Sequence, residues 1–298
     1  MLTADIIDIK HLAVHDGPGI RTTFFFKGCP LRCLWCHNPE SQSAQRELGF
    51  LENRCTGCRH CAEICSAHTF DAAGMHHIDR TQCRLCGRCV RECPMNALEL
   101  YGSMLTLDDA VAAARRDLDF FRASGGGCTV SGGEPLLQSK FCAALFRELK
   151  RYDIHCAADT SGAVPWRAFE EVLPVTDLFL YDLKHPDGAR HRELTGSGNA
   201  ELLDRLRRLD RTGVPIEVRI PLVPGYNSTP EALAGFVKIL TGLEHLTGVR
   251  ILPFHRARFK YRALGRAEPL EALEPCPEEL AAEMKKHFAK NHIKVIEN

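Results

Sequence analysis

The chain reads as an α/β protein, a parallel sheet with helices packed outside it, interrupted early by a cysteine-rich insert. Two patterns predict this. From Thr106 onward, short apolar runs alternate with helical stretches, as right-handed βαβ units do. Between about 49 and 102 that alternation stops, and small, polar and cysteine residues take over. The parallel set amounts to six strands, short of the eight of a full TIM barrel. A partial (β/α)6 barrel and an open doubly wound sheet both satisfy the pattern.

Residues 5–10 (DIIDIK) and 22–26 (TTFFF) are rich in β-branched and aromatic side chains and read as short strands. Thr106 is a helix N-cap, with Asp109 as its capping partner, and opens the pattern TLDDAVAAARRDLDFFRAS. Further strands are expected at 127–131, 154–159, 177–183, 215–220 and 248–253. Helices are expected at 138–151, 165–173, 199–212, 230–242 and 277–290. The chain then divides into 1–48, the start of the sheet with a cysteine loop; 49–102, the insert; and 103–298, the remainder.

Composition narrows the class. The 298 residues carry 38 Lys+Arg against 38 Asp+Glu, which lends no support to binding of nucleic acid or an anionic membrane. No apolar stretch reaches the ~18 residues of a membrane span. The N-terminus, MLTADIIDIKHL, lacks the layout of a secretory signal. The expected compartment is therefore the cytoplasm, where clustered cysteines serve metals more often than disulfides.

Eleven of the 15 cysteines crowd into three runs within the first hundred residues. The first, Cys29-x3-Cys33-x2-Cys36, follows strand 22–26 in a loop. Soft thiolates at this spacing suit an iron–sulfur cluster, or zinc completed by His37. On a four-iron cube, three thiolates leave one iron open for a small molecule. The second and third runs are Cys55-x2-Cys58-x2-Cys61-x3-Cys65 and Cys83-x2-Cys86-x2-Cys89-x3-Cys93-Pro94. This is the bacterial two-cluster ferredoxin spacing, in which the fourth cysteine of each run ligates the other cluster. One [4Fe–4S] cluster would take Cys55, Cys58, Cys61 and Cys93, the other Cys83, Cys86, Cys89 and Cys65. Ser66 stands where that pattern has proline after the fourth cysteine of the first run. Electron relay is the simplest role for such an insert, with bracing of a docking surface as the other. Cys128, Cys142, Cys156 and Cys276 read as packing residues.

Other motifs end the later strands, where parallel α/β folds place their chemistry. Ser131-Gly132-Gly133-Glu134-Pro135 offers backbone to a ligand or makes a tight turn. Asp159-Thr160-Ser161-Gly162 ends the next strand, and Asp182-Leu183-Lys184 the one after. Asp182 and Lys184, two apart, share a face and would meet an amino acid's ammonium and carboxylate, or simply pair. His255, in Leu252-Pro253-Phe254-His255, ends the last strand; both structural and functional roles fit it.

The first cysteine run resembles the signature of the radical S-adenosylmethionine (SAM) superfamily. Together with Asp16-Gly17-Pro18-Gly19-Ile20-Arg21, Trp35-Cys36-His37-Asn38-Pro39-Glu40, the Gly-Gly-Glu-Pro turn, Asp182-Leu183-Lys184 and Val223-Pro224-Gly225, it resembles the glycyl radical enzyme activating enzymes over nearly its whole length. The resemblance implies a partial (β/α)6 TIM-like radical SAM barrel with a small inserted ferredoxin-like domain, carrying three [4Fe–4S] clusters. It implies reductive cleavage of SAM to methionine and a 5′-deoxyadenosyl radical, which takes a hydrogen from a glycine of a partner glycyl radical enzyme. Cys29, Cys33 and Cys36 would hold the catalytic cluster; Trp35, His37, Gly133, Asp182, Leu183, Lys184 and His255 would contact SAM. A monovalent cation would sit on Asp159, Thr160, Leu180 and Asp182, and the loop at Asp16 would receive the partner's glycine. Flavodoxin or ferredoxin would supply electrons. The other function compatible with the superfamily signature is radical SAM chemistry directly on a small molecule or RNA, with the insert as auxiliary clusters.

Overall fold

The computed structural model describes residues 2–297. Its strands are β1 (Thr3–Ala13), β2 (Arg21–Phe26), β3 (Glu47–Phe50), β4 (His68–Phe70), β5 (His76–Ile78), β6 (Leu98–Tyr101) and β7 (Ser103–Thr106). They continue with β8 (Gly127–Gly132), β9 (His155–Thr160), β10 (Leu178–Asp182), β11 (Ile216–Leu222) and β12 (Leu246–Pro253). The helices are α1 (His60–Ile64), α2 (Arg88–Arg91), α3 (Leu107–Arg115), α4 (Leu118–Ser124), α5 (Ser139–Lys150) and α6 (Trp166–Val172). Then come α7 (Gly188–Thr195), α8 (Ala200–Asp210), α9 (Pro230–Leu240), α10 (Arg258–Ala263) and α11 (Glu278–Lys290). Among the described residues, no helix is long and apolar enough to cross a membrane.

One eight-stranded sheet runs β12-β11-β10-β9-β8-β2-β1-β7. Neighbours from β2 through β12 pair in parallel; β1 pairs antiparallel with β2 and β7. The six parallel strands, with helices between them, make a partial (β/α)6 barrel with β12 left at one end of the order.

The two faces of these strands differ, as a period of two requires. On the outer face Phe24, Phe26, Val130, Ala158, Phe179, Tyr181, Val218, Ile220, Val249 and Ile251 join one core with the apolar stripes of α5, α6, α8, α9 and α11. Residues of opposite parity face inward. There Ala157, Leu178 and Leu180 form a small apolar floor, while Asp159, Asp182, Glu217, Arg219 and Arg250 put charge inside. Each fully buried Phe of the outer core contributes about 1.5–3 kcal/mol, so the helix-facing side supplies the stability and leaves the inner side for polar groups.

The 106–124 helix pattern divides into α3 and α4. Asp117, between them, accepts from Thr22 Oγ1 at 2.5 Å and meets His11 Nδ1 at 2.6 Å; this tie to the sheet replaces a continuous helix axis. Thr106 caps α3 by accepting from the Asp109 N–H at 3.1 Å.

Residues between β3 and β6 form the cysteine-rich insert. Glu47 pairs with Tyr101 and Phe50 with Leu98, bringing its two ends together. Leu48, Leu98 and Cys89 form a core of their own, packed by Phe50, Ile64, Ile78, Leu85 and Val90. Arg80 fastens this unit to the barrel, donating to the carbonyls of Leu48 and Ala263, the latter at 2.9 Å.

Candidate active site

The loop after β2 carries Cys29, Cys33 and Cys36, and hydrogen bonds within itself, to α7 and to α10 fix its course. Gly28 N–H donates to Ser41 at 2.7 Å and Cys29 N–H to Gln42 at 3.1 Å, folding the loop on itself. The N–H groups of Arg32 and Leu34 donate to Thr195 and Leu194 at the end of α7, at 2.7 and 3.0 Å. Tyr261 of α10 donates its hydroxyl to the Cys36 carbonyl at 3.1 Å. Lys260 donates to Asn38 Oδ1 and Glu40 Oε1 at 2.8 and 2.7 Å, and Lys27 to the Glu40 carbonyl at 2.6 Å. The sequence around Cys36 thus serves as a set of anchors for the turn that presents the thiols.

A cavity of about 220 Å³ opens beside them. Cys29, Cys33, Cys36, Trp35 and His37 line one side, Ser131, Gly132 and Gly133 another, and Asp159, Asp182, Lys184 and Arg219 the strand ends. Leu252 and Phe254 close it with apolar surface. Lys184 Nζ donates to Asp182 Oδ2 at 2.7 Å. Burial pushes the Cys29 thiol up to about 12, the Cys33 thiol to about 11, and raises Cys36 as well. Buried thiolates therefore need a cation, and Lys184 is the side chain whose charge favours all three. Three thiols on one wall of a cavity, with Cys36 the last cysteine before the insert, fit a metal group with one position left open toward that cavity.

Gly133 is required by close packing. Its N–H donates to Phe26 at 2.9 Å, and the next N–H, of Glu134, to Gly28 at 2.8 Å. A Cβ on Gly133 would lie 2.2 Å from the Gly28 carbonyl. The turn after β8 is thus pressed directly against the cysteine loop. Glu134, wholly buried, accepts from Thr160 Oγ1 (2.7 Å), Ser161 Oγ (2.6 Å) and Ser161 N–H (2.9 Å). Burial nonetheless raises its carboxyl. Its role is to clamp the end of β9 to the glycine turn.

Not every residue singled out in the sequence reaches the cavity with its side chain. Thr160 turns outward to Glu134, Leu180 lies in the apolar floor, and Leu183 joins the outer core. His255 is exposed; its carbonyl meets His37 Nε2 at 2.6 Å, and the two rings lie 6.4 Å apart. Asp159 does line the cavity, accepting from Ser131 Oγ at 2.6 Å with Arg219 Nη1 3.6 Å away. Burial pushes the Asp159 carboxyl up while Arg219 pulls it down and Asp182 adds to the rise.

Arg219 has no role legible from sequence, and the structure gives it one. Nearly sealed from solvent, it reaches Asp159, lies 3.3 Å from Glu217 Oε1, and donates to the His15 carbonyl at 3.0 Å. The Asp16–Gly19 loop precedes β2, at the N-terminal ends of the strands, opposite the cysteines. Asp16 accepts from Thr23 Oγ1 at 2.8 Å, its carbonyl from Thr129 Oγ1 at 2.6 Å. Arg219 therefore spans the barrel interior from this loop to the cavity.

In the insert, Cys55, Cys58, Cys61 and Cys93 line one small cavity. The charges of Cys65, Cys83 and Cys86 all bear on the Cys89 thiol, which burial pushes up to about 11. The fourth cysteine of each run lies with the first three of the other.

Residues 23–237, more than half of the chain, match the family model described as the Radical SAM superfamily. The isethionate sulfite-lyase activating enzyme of Nitratidesulfovibrio vulgaris is 40% identical over 277 residues, 90% of each chain. The choline trimethylamine-lyase activating enzyme of Oleidesulfovibrio alaskensis is 38% identical, over 89% of this chain and 88% of that one. The chain belongs to the glycyl radical enzyme activating enzymes of the radical SAM superfamily. A radical SAM methyltransferase from Sphaerobacter thermophilus shares the fold, with a TM-score of 0.51 at 20% identity over 65% of this chain and 57% of that one. As a radical SAM activating enzyme, the protein carries its thiols at the C-terminal ends of the barrel strands, and Asp182, Lys184 and Gly133 share the cavity with them.

Proposed function

We propose that this activating enzyme binds SAM in the cavity beside Cys29, Cys33 and Cys36 and installs a glycyl radical on a partner enzyme. The observation that carries the reading is the meeting of those three thiols with the Asp182–Lys184 pair in one cavity. A [4Fe–4S] cluster on the three thiolates, when bound, supplies the electron that cleaves SAM to methionine and a 5′-deoxyadenosyl radical, which abstracts the glycine hydrogen.

The chain's own residues position the reactants. Lys184 is placed for the SAM carboxylate and Asp182 for its ammonium, with the backbone at Gly133 alongside. Trp35, Leu252 and Phe254 exclude water from the reacting end, which protects a reactive intermediate. His37 holds the loop to the segment just after β12, and His255 at the rim covers the nucleoside end, with Leu183 anchoring the end of β10 that presents both charged groups. A monovalent cation between Asp159 and Asp182, completed by the backbone of Thr160 and Leu180, would offset two carboxylates that otherwise disfavour each other. The partner's glycine enters by the open side of the sheet, near the Asp16 loop.

The insert would hold two further [4Fe–4S] clusters as a ferredoxin-like relay, one on Cys55, Cys58, Cys61 and Cys93, the other on Cys83, Cys86, Cys89 and Cys65. Flavodoxin or ferredoxin would feed it in a reducing, anaerobic cytoplasm. Reconstituted without oxygen, the enzyme should hold about twelve iron atoms, three four-iron clusters, and SAM should perturb the spectrum of one of them. Cys58→Ala should lose about four of those iron atoms and keep the SAM response with a chemical reductant. Full iron retention in that variant would defeat the ligand assignment, and bound zinc would defeat the cluster reading.

A further inference from the structure

The insert's two cysteine quartets have different surroundings, and a histidine pair makes the difference. His68 on β4 and His76 on β5 are diagonal neighbours across the hairpin, Nδ1 of His68 lying 2.9 Å from Nε2 of His76. Phe70 stacks on the His76 ring at 4.7 Å and Phe50 meets it edge-on at 4.6 Å. The ring so held lies against two thiols: Nδ1 is 3.9 Å from Cys55 Sγ and Nε2 3.6 Å from Cys61 Sγ. Ala97 N–H adds a third contact to the same quartet, 3.3 Å from Cys93 Sγ. Among the described residues, no side chain donates to the sulfurs of Cys65, Cys83, Cys86 or Cys89.

Proton placement follows from burial. His68 is 3% exposed and its Nε2 has no partner among the described residues. A stranded buried N–H there is the less favourable alternative, so the His68 proton sits on Nδ1 and is donated to His76 Nε2. The His76 proton then sits on Nδ1, toward Cys55 Sγ.

Resting on the reading that each quartet holds a [4Fe–4S] cluster, we infer that His76, oriented by His68, donates an N–H to the Cys55 sulfur and makes that cluster the more easily reduced of the two. Reduction adds negative charge to the cluster and its thiolates, and a donor aimed at sulfur stabilises the added charge. Electrons entering the insert therefore collect on the cluster of Cys55, Cys58, Cys61 and Cys93. His76 is a positioning residue for that charge, not a ligand.

The test is potentiometric titration of the reconstituted enzyme followed by electron paramagnetic resonance, on wild type and His76→Phe, a ring sized for the aromatic sandwich. The expected result is a shift of one cluster to more negative potential, with iron content and the other two potentials unchanged. Unchanged potentials at full iron content overturn the inference while leaving the cluster reading intact. Loss of about four iron atoms in His76→Phe, with wild type holding about twelve, identifies His76 as a ligand and overturns it as well. A wild type without insert iron overturns the reading beneath it. Should His76→Phe fold poorly, deuterium exchange in the wild type decides: electron–nuclear double resonance of the reduced cluster should show, besides the Ala97 amide, a second exchangeable N–H deuteron near a cysteine sulfur, and the absence of that second deuteron refutes the donor.

Discussion

Cys36→Ala is expected to reduce SAM cleavage to background. The substitution removes one of three thiols and leaves the backbone bonds that shape the loop, from Cys36 N–H to Cys33 at 3.2 Å and from the Tyr261 hydroxyl to the Cys36 carbonyl at 3.1 Å. Two thiols in place of three leave the metal group two positions short, and among the described residues no other cysteine lines the cavity to replace the third. With a chemical reductant, formation of methionine and 5′-deoxyadenosine should vanish and iron should fall by about four atoms per chain, the insert clusters remaining. Substantial turnover by Cys36→Ala would place the catalytic ligands elsewhere.

The second large effect is expected at Gly133, through packing. An added Cβ would meet the Gly28 carbonyl at 2.2 Å and the Ser41 carbonyl at 2.9 Å, both backbone. Neither can turn aside as a side chain can, so Gly133→Ala must separate the glycine turn from the cysteine loop. Overpacking of this kind costs about 1–3 kcal/mol, seen as a fall of several degrees in Tm. Because the two loops flank the cavity, SAM affinity should drop by about tenfold or more, measured by equilibrium dialysis. Gly242→Ala, whose nearest neighbour would be an ordinary 3.5 Å away, serves as the control. Wild-type affinity in Gly133→Ala would show that the contact between the loops does not shape the site.

The parallel strands were legible because each is an apolar run bounded by turn residues, and β8 through β12 lie within a few residues of their expected positions. Period-two alternation also sorts the strand-end residues between the cavity and the outer core. Asp182 and Lys184 meet as the spacing requires, yet the same parity turns Thr160 and Leu183 outward. The short strands β4 and β5, three residues each, were not legible, since so few residues carry no period; their hairpin follows from packing around Phe50, Phe70 and the cysteines. What Arg219 and Glu134 hold was not legible for another reason. Their partners, His15 and Ser161 among them, lie 204 and 27 residues away, and a buried charge gives no local sign of what it holds. The helix break at Asp117 likewise depends on Thr22 and His11, contacts that only the folded sheet creates.

The measurement that bears most directly on the proposed function is electron paramagnetic resonance of a partner glycyl radical enzyme incubated anaerobically with this protein, SAM and reductant. The partner is to be taken from the enzyme classes that related activating enzymes serve. A glycine-centred doublet that grows with one cognate partner, requires SAM, and is absent with Cys36→Ala is the expected result. SAM cleavage that proceeds while every such partner stays silent would contradict it.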